Sequence, residues 1–170
     1  MQTNAVKLYS LAYQEGKTYG MTLLFVAGNV LFPQLCHLLK MGGPTWLPLY
    51  FFTLIGAYKY GWRVGLLTAI ISPLFNSALC GMPALAVLPG VLWKSVSLAL
   101  IAGFTARRYQ KVSLGLIGAV ILAYQGIGTL GEWVFTGSFY EAWQGFRIGV
   151  PGMLLQWLGG WALIRYAMRR

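Results

Sequence analysis

Two cysteines, one histidine and three acidic residues, all glutamate, make up a sparse chemical inventory for a chain of 170 residues. That stock holds no carboxylate dyad and no Ser-His-Asp set, so general acid–base or triad hydrolysis is not expected. The segment LPGVLWKS ends in Lys94-Ser95 but lacks the glycine before the lysine and the spacing of a phosphate-binding loop, which excludes ATP hydrolysis by this chain. What remains is thiol chemistry. Cys80 closes the stretch SPLFNSALCGMP (72–83), where a long apolar run gives way to Gly81, Met82 and Pro83. A thiolate there would bind soft or borderline metals or attack electrophiles. A free cysteine is otherwise a small apolar filler. No second thiol stands at CxxC distance, so a tetrahedral zinc site is not expected. Cys36 and His37 lie together near the end of the first apolar run. A lone histidine in that setting is more often a hydrogen-bonded interfacial residue than a ligand.

The elements that must position these groups are set by composition. Hydrophobic residues make up 58% of the chain and charged residues 9%, against roughly 25% charged in soluble domains. Such a chain cannot cover a globular surface with polar groups, and seven Trp with ten Tyr suit the headgroup level of a bilayer. An all-α integral membrane protein is expected, since the period-two alternation of a β-barrel is absent. The net charge of +10 does not point to nucleic acid. The basic residues form no single patch; they punctuate the apolar runs, as loop charges of membrane proteins do.

Counting segments free of charge gives six spans packed as one domain over 1–170. They lie between Lys17 and Lys40, between Lys40 and Lys59, and over 63–79, 86–106, 112–133 and 148–165, each near the roughly 20 residues that cross a bilayer. The uncharged run from Val64 to Trp93 is split by the turn chemistry of CGMPALAVLPG. Of the 13 basic residues, only Lys40, Lys94 and Arg147 lie away from the side that carries both termini. That asymmetry predicts both termini in the cytoplasm, with residues 1–18 as a cytoplasmic or interfacial segment and the loops after spans one, three and five outward. Small residues at four-residue intervals (Gly61, Gly65, Ala69; Ser95, Ala99, Gly103; Gly115, Ala119, Ala123) predict close helix packing in the bundle.

On this topology Cys80 falls at the outer end of span three, with Asn76 and Met82 beside it. Lys94 is the one charge within a span, in the outer third of the membrane, either paired with Glu132 or snorkelling outward, or on the floor of an outward cavity. The segment EWVFTGSFYEAWQGFR (132–147) reads as an outer loop. It is either an aromatic belt or a lid over a flat ligand, with Trp133, Tyr140, Trp143 and Arg147 as its contacts. The expected substrate site therefore comprises Cys80, Asn76, Met82, Lys94, Trp133, Tyr140, Trp143 and Arg147.

Positions 43–104, with a proline-bearing second span, a cytoplasmic turn and the "SPL…GMP" third span, resemble the substrate-binding S components of energy-coupling-factor vitamin transporters. The cysteine just before Gly81-Met82-Pro83 resembles the solitary cobalamin (vitamin B12) members of that group. The resemblance implies uptake of cobalamin across a bacterial inner membrane, bound from the outer side. It implies Cys80 as the sulfur ligand to the corrin cobalt, with slow loss of cyanide from cyanocobalamin as a side activity and no cofactor of the protein's own. It also implies an energising module as partner, docked in that family through a small-xxx-small pair in span one. This sequence departs there, since Ala27 is followed four residues on by Leu31 and Gly28 by Phe32. Two other readings stay open: an S component for another vitamin with Cys80 as packing, and a membrane thiol oxidoreductase using Cys36 and Cys80, which would lack the usual CxxC pair.

Overall fold

The computed structural model describes residues 7–38 and 46–167. Among the described residues seven α-helices follow one another: α1 (Gly16–Leu38), α2 (Pro48–Tyr60), α3 (Trp62–Cys80), α4 (Leu88–Tyr109), α5 (Leu114–Thr136), α6 (Phe139–Ile148) and α7 (Val150–Ala162), which ends in a π-helical turn, Leu163–Ala167. No strand occurs among the described residues. Lys40, Arg169 and Arg170, and the side chains of Cys36 and His37, lie outside the described residues.

Three of these helices, α3, α4 and α5, are long and apolar enough to cross a membrane. Helix α1 is also 23 residues long. Helices α2 and α7 have only 13 residues each, short of the roughly 20 that a straight crossing takes. Their boundaries follow local chemistry. Pro48 opens α2 at its first turn, where its missing N–H costs no hydrogen bond. Between α2 and α3 stands one residue, Gly61, at φ +102°, a backbone conformation that a side chain would strain. Gly81 (φ +67°) and Gly137 (φ +70°) are left-handed residues just past α3 and α5, and the amide of Gly81 closes back on the Ser77 carbonyl at 3.1 Å.

The stretch 132–147, expected from the sequence to be an outer loop, is largely helical. Glu132 to Thr136 complete the last turn of α5, and Phe139 to Ile148 form α6, so the connection is Gly137-Ser138 alone. The cause is a start signal inside the aromatic stretch: the Ser138 hydroxyl accepts the Glu141 N–H at 3.3 Å, half of a capping box.

Helices α1 to α5 pack as consecutive neighbours, with α2 central against α1, α3, α4 and α7, while α6 packs chiefly on α5. The core centres on Leu54, Ile55, Tyr58, Val64, Leu98, Ile117 and Tyr124, all fully buried. Small residues allow the tightest crossings. A β-carbon at Gly65 would overlap Ala57 and lie 2.7 Å from its Cα, and one at Gly103 would lie 2.5 Å from the Cα of Trp62. The first two small-residue columns thus do pack helices together. The third does not: Gly115, Ala119 and Ala123 are exposed, because the inward face of α5 is carried by Ile117, Val120, Ile121, Tyr124, Gln125 and Gly128. Large apolar residues win the core side because they bury more surface. Gly65→Ala is therefore expected to lower the melting temperature of the purified protein by several degrees, corresponding to about 1–3 kcal/mol of overpacking. Gly115→Ala, with only the Ser113 hydroxyl within reach at 3.9 Å, is expected to leave it unchanged or slightly raised.

Residues 7–12 are part of the packed body. The Tyr9 and Leu11 amides donate to the Lys59 and Tyr60 carbonyls at 2.8 and 3.1 Å, the Tyr9 ring stacks on Tyr60, and Leu11 enters the core. Helix ends leave their last carbonyls unpaired, and this segment supplies donors to the end of α2.

Candidate functional site

Cys80 is the final residue of α3, and its thiol is exposed. The side-chain amide of Gln34 on α1 donates to the sulfur at 2.9 Å. The two residues are 46 positions apart, so no sequence spacing announces the contact. Below them the α1–α3 seam is polar. Asn29 donates to Thr53 Oγ1 at 2.9 Å and Ser72 Oγ at 3.1 Å and accepts the Phe52 amide at 3.3 Å. Asn76, one turn below Cys80, donates to the Asn29 carbonyl at 3.0 Å and the Ser72 carbonyl at 3.2 Å. Asn76 is thus buried and occupied in joining α1 to α3, while Met82, just past the helix, is exposed. The seam ties the end of α3 to α1 through side-chain hydrogen bonds, and the thiol projects from that helix end. Asn29 and Gln34 carry this positioning, and neither was singled out by sequence reasoning.

Lys94 on α4 is buried and pairs with Glu132 on α5, Nζ to Oε2 2.7 Å, with side-chain exposures of 6% and 26%. Of the roles expected for Lys94, the pairing is the one observed. Its aliphatic chain lies across Gly128, where a β-carbon would come within 3.0 Å of Cε. Beside it the Trp93 indole N–H donates to the Ile127 carbonyl at 3.1 Å.

The aromatic residues expected to form a lid are exposed and split between two helices. Trp133 sits near the end of α5, in edge contact with Phe139 at 5.6 Å. On α6, Trp143 stacks on Phe146 with centroids 5.6 Å apart, and the Tyr140 hydroxyl accepts from the Gln144 amide at 2.6 Å. Arg147 is exposed and, with Gln144 and Ile148, lines an open hollow of about 280 Å³. The site residues therefore fall into two groups. One is the thiol end of the α1–α3 seam. The other is the α5–α6 hairpin with the Lys94–Glu132 pair. Among the described residues α6 packs on α5 and α7 and has no substantial contact with α1 or α3.

Among the described residues no cluster of three or more His, Cys, Asp or Glu is placed to hold a metal ion. A single sulfur does not make a metal centre of the protein's own. It can supply one ligand to a metal that arrives with its other ligands attached.

Compared with known proteins, the chain matches no family model, no curated sequence and no solved structure. The class defined by the fold is an all-helical protein with three helices able to cross a membrane by length and composition.

Proposed function

We propose that this chain is a multi-pass membrane uptake protein for cobalamin, binding the corrin from the outer side with the Cys80 sulfur as an axial ligand to cobalt. The observation that carries the reading is the exposed thiol at the terminus of α3, held toward Gln34 and adjoining the Gly81-Met82-Pro83 exit. A cobalt corrin brings its equatorial nitrogen ligands with it and lacks only axial ones, which suits a lone thiol. The exposed rings of Trp133, Tyr140 and Trp143 offer flat apolar surface for the corrin face.

In this reading the chain crosses the bacterial inner membrane six times with both termini cytoplasmic. Spans two and six of this reading contain the shorter helices α2 and α7. The distribution of Lys and Arg supports that orientation. Uptake would draw on a partner energising module. Helix α1 begins at Gly16, which places Gly16 and Gly20 four residues apart on it with nothing within 4 Å of either β-carbon position. That small pair, of which Gly16 lies just before the segment first read as span one and Gly20 within it, supports docking by a partner helix.

The experiment is a spectral titration. Purified protein given hydroxocobalamin or cyanocobalamin is expected to bind it and change its absorption spectrum; no binding and no change would end the reading. Alanine at Trp143 or Tyr140 is expected to weaken binding by at least ~1 kcal/mol, the worth of an aromatic stacking contact. Equal affinity for both variants and the parent would remove α6 from the site.

A further inference from the structure

On α5, Gln125, Gly128, Thr129 and Glu132 recur at steps of three and four residues and share one face. Gln125 is 1% exposed, yet neither its side-chain oxygen nor its nitrogen has a hydrogen-bond partner among the described residues. Thr129 Oγ1 and, on α4, Ser95 Oγ are likewise buried and unpartnered. Nearly all buried polar groups in folded proteins are paired with protein or ordered water, so the unpartnered Gln125 and Thr129, on the helix face that carries Glu132, leave hydrogen bonds for a group from outside the chain. The face begins at Glu132, a quarter exposed and bonded to Lys94, and reaches Gln125 about 10 Å deeper along the helix axis. Its cover is the α6–α7 junction, which meets it through glycines. A β-carbon at Gly145 would lie 3.2 Å from Glu132 Oε2, and one at Gly149 would lie 3.4 Å from Gln125 Nε2. At these two positions no side chain of the cover stands between it and the face.

We infer that this face, uncovered by movement of α6, binds primary amide groups on the rim of the ligand and selects for them. The inference rests on the cobalamin reading, since the corrin periphery carries such amides. An amide presents a donor beside an acceptor, and the face offers the complement twice, Glu132 beside Lys94 and Gln125 Oε1 beside its Nε2, with the Thr129 hydroxyl on the same face. A carboxylate at the same place would meet the Glu132 anion and leave the Gln125 oxygen unpaired. Desolvated polar sites discriminate strongly against groups that cannot return their hydrogen bonds.

The test uses the full-length protein in detergent and two corrins, one with amide side chains and one with those side chains as carboxylates. The parent is expected to bind the amide corrin at least tenfold more tightly. Gln125→Leu is expected to keep the Cys80-dependent spectral change, to lose at least tenfold in affinity for the amide corrin, and to narrow the preference. Thr129→Val, nearly the same shape, provides the same readings should Gln125→Leu fold poorly, with a smaller narrowing expected. Parent-like affinity and preference in folded variants would mean that the face holds only ordered water, and would overturn the inference while the spectral change upholds cobalt ligation. Absence of the spectral change in the parent itself would overturn the cobalamin reading and this inference with it.

Discussion

Cobalamin added to the Cys80→Ala protein is expected to keep the absorption spectrum it has in buffer, while the parent and Cys36→Ala shift it. Cys80 is exposed at a helix end, so exchanging its thiol for hydrogen leaves no core cavity and the fold should survive. The change removes the sulfur that the Gln34 amide faces at 2.9 Å and with it any bond to cobalt. Affinity is expected to fall at least a hundredfold, or about 2.8 kcal/mol. The same variant should lose cyanide release. In the proposed reaction the thiol would give its proton to the departing cyanide as sulfur bonds cobalt(III), so the products would be the thiolate complex and HCN, and no electron would be required. A thiolate is a strong donor and weakens the bond opposite to it. Free cyanide and the spectrum can be followed in one titration. A Cys80→Ala protein that shifts the spectrum as the parent does would reduce this cysteine to a packing residue.

The second large effect is expected at the Lys94–Glu132 pair. Removing one partner of a buried ion pair typically costs about 3–5 kcal/mol, because the other charge is stranded in a medium that solvates it poorly. The cost should be unequal here. Glu132→Gln leaves the ammonium of Lys94, only 6% exposed, whereas Lys94→Met leaves a carboxylate that is 26% exposed and close to water or to a proton. Glu132→Gln is therefore expected to give the larger fall in melting temperature, roughly 6–20 °C at about 2–4 °C per kcal/mol for a chain of this size. The double variant Lys94→Met with Glu132→Gln should recover most of it, since it buries no unpaired charge. Thermal melts of the four proteins in one detergent give the coupling directly. Additive losses would show that the 2.7 Å contact contributes nothing beyond its two separate side chains.

Much of the fold was legible before any coordinates. Composition requires helices in an apolar surround, and the turn chemistry after Cys80 marked the end of α3, where Gly81 takes a positive φ. Lys59, Arg63, Arg107 and Lys111 likewise fall near the ends of α2, α3, α4 and α5. These are local properties: a run of apolar residues and a turn residue act on their own few neighbours. Lys94 was legible as exceptional for the same reason, a charge in an uncharged run, but the sequence left it open between pairing with Glu132, snorkelling and a cavity floor, and the packing of α4 on α5 made the pair.

What only the tertiary structure decided depends on which face of each helix turns inward. Gly115, Ala119 and Ala123 form as regular a column as Ser95, Ala99 and Gly103, yet only the second is buried, because bulkier apolar residues one step round α5 take the core. Asn76 reads as a neighbour of Cys80 in sequence but is spent on the Asn29 and Ser72 carbonyls. The Gln34–Cys80 contact and the orphaned amide of Gln125 come from the packing of α1 on α3 and of α6 on α5. By itself the sequence determined that this is a helical, membrane-compatible chain with one conspicuous thiol at a helix end. The partners of that thiol, and the buried polar face left without any, were decided by helix rotation and crossing, which depend on side-chain fit across the bundle rather than on any short stretch of residues.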